Sequence, residues 1–73
     1  GDEALFERLR AWRKDEADEQ GVPAYVVFHD ATLRDIAREK PADDASLAAI
    51  SGVSAKRLER YGAAILELIA APA

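Results

Sequence analysis

The chain has 73 residues, 14 acidic and 10 basic, for a net charge of −4. Its apolar share is 49%, or 36 residues, but 16 of these are alanine, which leaves 20 side chains large enough to build a core. This leaves little room for a deep enzyme pocket of the usual ~300–1,000 Å³, and it is not the strongly basic balance of an autonomous nucleic-acid binder; the lack of cysteine excludes a disulfide or thiolate zinc site.

Residues 3–20 read as the first helix. Leu5, Leu9 and Trp12 recur at i, i+4 and i+7, and Phe6 and Ala17 widen the stripe. Asp2 and Glu3 suit the positive end of a helix, and Gly21 followed by Pro23 supplies a stop. The last turn carries Asp15, Glu16, Asp18 and Glu19, which the helix dipole disfavours, so fraying is expected there. Residues 21–29 form a connector around Tyr25-Val26-Val27-Phe28. These four residue types favour β-structure, but a lone strand is not stable. The segment is expected as an extended loop, pinned by burying Val26, Val27 or Phe28.

A second helix follows over residues 30–39, with Leu33, Ile36 and Ala37 inward. Asp30 can serve as its N-cap, and Thr32 with Asp35 is a competing capping box. Pro41 ends it. Asp43 caps a third short helix through Ile50, which turns Leu47 and Ile50 inward; Asp43-Asp44 reads as a cap and not a metal pair. Ser51-Gly52-Val53-Ser54 is a tight turn, and Ser54 is placed to cap a fourth helix over residues 55–61 with Leu58 and Tyr61 inward. Gly62 marks an end or a sharp joint. A fifth helix over residues 63–70 brings Ile65, Leu66 and Ile69, and Ala71-Pro72-Ala73 is a tail. The expected fold is all-α, a compact bundle of five short helices with one core over residues 5–70. No apolar run approaches the roughly 20 residues that span a bilayer, and no signal peptide is visible. A small soluble module cut from a larger protein is expected.

Three stretches together carry a resemblance. They are Leu5-Phe6-Glu7-Arg8-Leu9-Arg10, then Val22-Pro23-Ala24-Tyr25-Val26-Val27-Phe28-His29-Asp30-Ala31-Thr32-Leu33, then Ile50-Ser51-Gly52-Val53-Ser54-Ala55-Lys56-Arg57-Leu58-Glu59-Arg60-Tyr61-Gly62. In order and spacing they resemble the HRDC domain, the helicase-and-RNase-D C-terminal module, and look most like the HRDC domains of bacterial RecQ helicases. The resemblance implies a five-helix bundle with a helix-hairpin-helix-like turn, appended to a RecQ-type ATP-dependent DNA helicase. It implies an auxiliary, non-catalytic role, modulating binding to single-stranded or branched DNA in recombination and repair. ATP and magnesium would then belong to the parent's helicase domains, with no cofactor or metal in this one. A monomeric domain is expected, at the nucleoid in a bacterial cytoplasm and away from membranes, docking on other domains of its parent or on a protein partner. Two alternatives stay open: an acidic protein-interaction or intramolecular regulatory module with little DNA affinity, and an RNA-processing accessory domain of an RNase D-type enzyme.

The candidate nucleic-acid residues form two groups. Gly52 leads into a helix whose first N–H groups are free for a phosphate. Lys56, Arg57 and Arg60 follow, so residues 51–60 carry three basic groups against Glu59, or +2. The alternative is a tight turn beside a solvated basic face. Ser54 stands where the family often has a second glycine; its Cβ limits approach to phosphate, while its hydroxyl can bond one. Tyr25 is either a packed tyrosine or a platform for an unpaired base, a contact worth ~1–3 kcal/mol; the resemblance attaches the second role to it.

Arg10, Arg13 and Lys14, near Arg8, share one face of the first helix and are weaker DNA candidates. Residues 1–20 hold four basic and seven acidic groups, or −3, so the cluster reads first as a salt-bridged solvated helix. Asp15, Glu16, Asp18 and Glu19 are candidates for facing a basic partner. His29, the single histidine and without cysteine, makes a poor metal site and reads as helix-start packing or an exposed side chain. Trp12 reads as core. No nucleophile–base constellation and no G-x-x-x-x-G-K loop is present, so no catalytic residue is assigned.

Overall fold

A computed structural model describes residues 1–71; Pro72 and Ala73 of the expected tail lie outside the described residues. Five helices follow in order: α1 Asp2–Gln20, α2 Ala24–Val27, α3 Asp30–Glu39, α4 Asp44–Ala48 and α5 Ala55–Ala70. α1 is the spine. α2, α3 and α5 pack against it, and α4 packs on α5. The core gathers Leu5, Phe6 and Leu9 of α1, Val27 and Phe28, Leu33 and Ile36 of α3, Leu47 of α4, and Tyr61 and Ile65 of α5. Trp12 is half-buried at its edge, with its ring 5.5 Å from Tyr61 edge-to-face and 6.2 Å from Phe28. No helix among the described residues is long and apolar enough to cross a membrane.

α1 does not fray at its acidic end. Gly21 takes the left-handed conformation at φ 69°, and the N–H groups of Gly21 and Val22 close on the carbonyls of Asp18 and Ala17 at 3.2 and 3.0 Å. This terminal motif satisfies the last carbonyls that the dipole argument left open. Within the turn, Lys14 neutralises Asp18 at 2.7 Å.

The connector contains a helical turn where an extended loop was expected. α2 buries Val27, and Phe28 follows it into the core, while Tyr25 and Val26 face solvent. A turn separates these two pairs of residues onto opposite sides, which an alternating strand could not do. Its free carbonyls find a distant donor: Arg57 bonds Val27 O at 2.8 Å and Val26 O at 3.2 Å.

α3 begins one residue earlier than a cap at Asp30 requires. His29 holds the N-cap position without a side-chain bond, and Asp30 is the first helical residue. The Thr32–Asp35 box does not form; Thr32 is buried and its hydroxyl donates to Ser51 O at 3.4 Å. The Asp43 and Ser54 caps do form, accepting from Ser46 N at 2.8 Å and Arg57 N at 3.1 Å.

The expected fourth and fifth helices are one. α5 runs unbroken through Gly62, which is buried. A glycine costs a helix interior about 1 kcal/mol. Here the residues on both sides are good helix formers, and the stripe Leu58, Tyr61, Ile65 and Ile69 joins or packs on the core across the glycine.

Candidate nucleic-acid interface

The ten basic side chains differ sharply in what they touch. Arg10, Arg13, Lys14, Arg34, Arg38 and Lys40 each pair with an acid. Arg8 donates to Leu68 O at 3.0 Å, and Arg57 to the α2 carbonyls. Lys56 and Arg60 remain. Among the described residues neither forms an ion pair or donates a side-chain hydrogen bond, and both are exposed. They lie i, i+4 on one face of α5, and the Arg60 guanidinium rests 5.5 Å from the Tyr61 ring centre.

These two cations line a groove of about 340 Å³ between α2 and α5, with Gln20, Val26, Ser54, Arg57 and Tyr61. Val26 and Tyr25 are the exposed large apolar side chains of the described chain, at 43% and 59%. Gln20 bridges the groove's end, donating to Tyr61 Oη at 2.8 Å and to Glu16 at 3.3 Å. The groove thus combines unpartnered positive charge, an apolar rim and the start of a sixteen-residue helix. That is the chemistry of a nucleic-acid backbone contact with an adjoining stacking surface. Glu59 lies beside the two cations without pairing to either, and lowers the local field.

The remaining candidates are distributed differently. Gly52 has φ 93°, and the space a side chain would take there is held by Thr32 Oγ1. It serves the turn and the close approach of α3. The Ser54 hydroxyl is engaged as the cap of α5. Arg57 is a clamp between α5 and α2, its charge directed at two carbonyls. Arg13 is buried, donates to Phe28 O at 2.9 Å and meets Asp30 at 2.7 Å. The hydrogen bond from Arg13 to Asp30, and then the guanidinium charge, hold the Asp30 carboxyl below the usual carboxylate range. Arg10 pairs with Glu7 at 3.3 Å, and Lys14 is pushed up by its bond to Asp18. Arg10, Arg13 and Lys14 line a second groove with Ala24, but with their charges already matched. Of the acidic group, Asp18 is paired and Glu16 is tied to Gln20, while Asp15 and Glu19 are exposed.

His29 is exposed, and its ring stacks on Tyr25 with centres 6.0 Å apart and planes 26° from parallel. Sequence reasoning missed Val26, Gln20 and the Tyr61 hydroxyl. Val26 carried a usable signal, because a run of four apolar residues in a helical turn cannot bury all of them. Gln20 and Tyr61 are 41 positions apart, and no local pattern joins them.

The family model described as the HRDC domain matches residues 2–69. The ATP-dependent DNA helicase UvrD2 of Mycobacterium tuberculosis is 53% identical over 68 residues, 93% of this chain and 10% of that protein. The ATP-dependent DNA helicase RecQ of Pasteurella multocida is 44% identical over 68 residues, 93% of this chain and 11% of that protein. Among solved structures, HRDC domain 3 of D. radiodurans RecQ superposes with a TM-score of 0.90 at 40% identity, covering 94% of this chain and 91% of that one. The chain spans about a tenth of the length of the curated relatives it matches.

Proposed function

The chain belongs to the HRDC family, and on that premise we propose that it is the non-catalytic auxiliary domain of a bacterial ATP-dependent DNA helicase. It would hold single-stranded or branched DNA on the face formed by α2 and the N-terminal half of α5. The observation that carries this reading is the pair Lys56 and Arg60: unpartnered cations one turn apart, lining one groove with exposed Val26, next in sequence to exposed Tyr25.

The contact works by division of labour. Lys56 and Arg60 attract backbone phosphate, and the open amides at the start of α5 add a positive dipole end. Tyr25 offers a flat apolar surface to an unpaired base. Arg57 keeps α2 against α5, so that the two surfaces stay in register. The acidic end of α1 meets this groove at Gln20 through Glu16. It repels phosphate there and directs a strand over α2. Two phosphate contacts and one base make a weak site, suited to tuning the grip of a larger enzyme. ATP and magnesium belong to that enzyme's motor, and the setting is cytoplasmic. The relatives named as DNA helicases favour this reading over RNA processing.

The test is a titration of the 15N-labelled chain with a short single-stranded oligonucleotide at low salt. Amide shifts are expected at Tyr25, Val26, Lys56 and Arg60, with Arg34, Arg38 and Lys40 unmoved. Shifts confined to those last three, or no shifts at all, would sink the reading.

A further inference from the structure

An exposed tyrosine on a four-residue helix would ordinarily sample several rotamers, and fixing it on binding would cost conformational entropy. Tyr25 is not free in this way. The His29 ring stacks on it in an offset arrangement, its plane 26° from parallel and its centre 6.0 Å away. This is within the 4.5–7 Å range in which offset aromatic stacking is favourable. His29 has no other task visible in the structure. Its side chain makes no cap bond to α3, and no hydrogen bond or ion pair engages its ring among the described residues. Its backbone is fixed, because its carbonyl accepts from Leu33 N at 3.2 Å at the start of α3. The imidazole is thus carried on a rigid helix terminus and laid against a side chain carried on a short, clamped one.

We propose that His29 is a positioning residue for DNA binding: it backs one face of the Tyr25 ring and leaves the opposite face as the stacking surface for an unpaired base. The inference rests on the reading of Tyr25 as a base contact and extends it to a second residue. A base, Tyr25 and His29 then form one continuous three-layer stack. The part of the entropy that ordering Tyr25 would cost is met before the strand arrives.

The proposal is tested with the 73-residue chain, its Tyr25→Ala, His29→Ala and His29→Phe variants, and a fluorescent oligothymidylate at low salt. The ordering of Tyr25 that the pair supplies is bounded by the worth of the pair itself, roughly a 2- to 10-fold change in an equilibrium. His29→Ala is expected to weaken binding by about that factor, and His29→Phe, which restores a flat ring, to recover it. The Tyr25 ring-proton resonances should move in His29→Ala, as the imidazole ring current is lost. Losing the stack is expected to lower the melting temperature of His29→Ala by no more than a few degrees, so the chain stays folded at the temperature of the titration. If Tyr25→Ala loses affinity while His29→Ala binds normally, the positioning role is overturned and the Tyr25 reading stands. If His29→Phe fails to recover what His29→Ala loses, stacking is not the cause and the proposal fails. If Tyr25→Ala also binds normally, or the unaltered chain does not bind, both readings fall.

Discussion

At the scale of single residues, Arg13 and Asp30 meet at 2.7 Å with the guanidinium side chain 9% exposed and the carboxylate 64% exposed. Arg13 also satisfies the buried Phe28 carbonyl, so its charge joins α1, the end of α2 and α3. The hydrogen bond from Arg13, then its charge, lowers the Asp30 carboxyl from its ordinary 3.8. A lowered folded-state pKa means that the ionised form stabilises the fold. That contribution is complete above the ordinary value and is lost as pH falls through the lowered one. The melting temperature followed by circular dichroism is therefore expected to fall on acidification below about pH 4. Asp30→Asn should melt lower near pH 7 and show a shallower acid decline. Some decline should persist, because Asp2 and Asp43 are held low by Lys40 and by the Ser46 amide. A variant with the unaltered chain's melting temperature and profile would show that the pair adds nothing. Arg57 and Lys56 make a different residue-scale point. Adjacent and alike in the sequence, they divide into a clamp and a free cation only because two carbonyls, 30 and 31 positions away, reach Arg57.

Among the elements, α1 and α3 were legible from spacing, and α4 from its Asp43 cap. Stripes at i, i+3 and i+4 and the Asp43 cap are local signals. α2 was not legible, since Tyr25-Val26-Val27-Phe28 favours a strand by propensity. Its helical turn depends on the non-local Arg57 and on core space for Val27 and Phe28. The break expected at Gly62 failed for the opposite reason: a real local penalty was outweighed by a continuous buried stripe. Two glycines then predict opposite outcomes. At Gly52 the positive φ of 93° and the Thr32 side chain leave no room for a Cβ. Gly52→Ala should cost roughly 1–3 kcal/mol in urea unfolding. At Gly62 a Cβ would meet the flexible end of half-buried Leu58 at 3.2 Å, in ordinary helical backbone. Gly62→Ala should be neutral or stabilise by up to about 1 kcal/mol. Equal destabilisation by both would show that Gly62 is a packing glycine too.

Over the whole molecule, the charge of −4 conceals an ordered arrangement. Five of the ten cations join separate elements: Arg34 to Glu3, Lys40 to Asp2, Arg13 to Asp30, Arg8 to the end of α5, and Arg57 to the α2 carbonyls. The local +2 of residues 51–60 rests on three cations, and one of them, Arg57, is spent on the α2 carbonyls. What remains available to a ligand is Lys56 and Arg60, set against an acidic α1 terminus. Counterion release makes this countable, since each phosphate neutralised on a single strand contributes about −0.7 to the slope of log K against log salt. The most direct measurement is the affinity of the chain for a fluorescent oligothymidylate across a salt series, beside the Lys56→Ala/Arg60→Ala double variant. A slope of about −1.4 is expected for the unaltered chain and near zero for the variant, with unchanged melting temperature. A double variant that binds as tightly, and with the same slope, would contradict it.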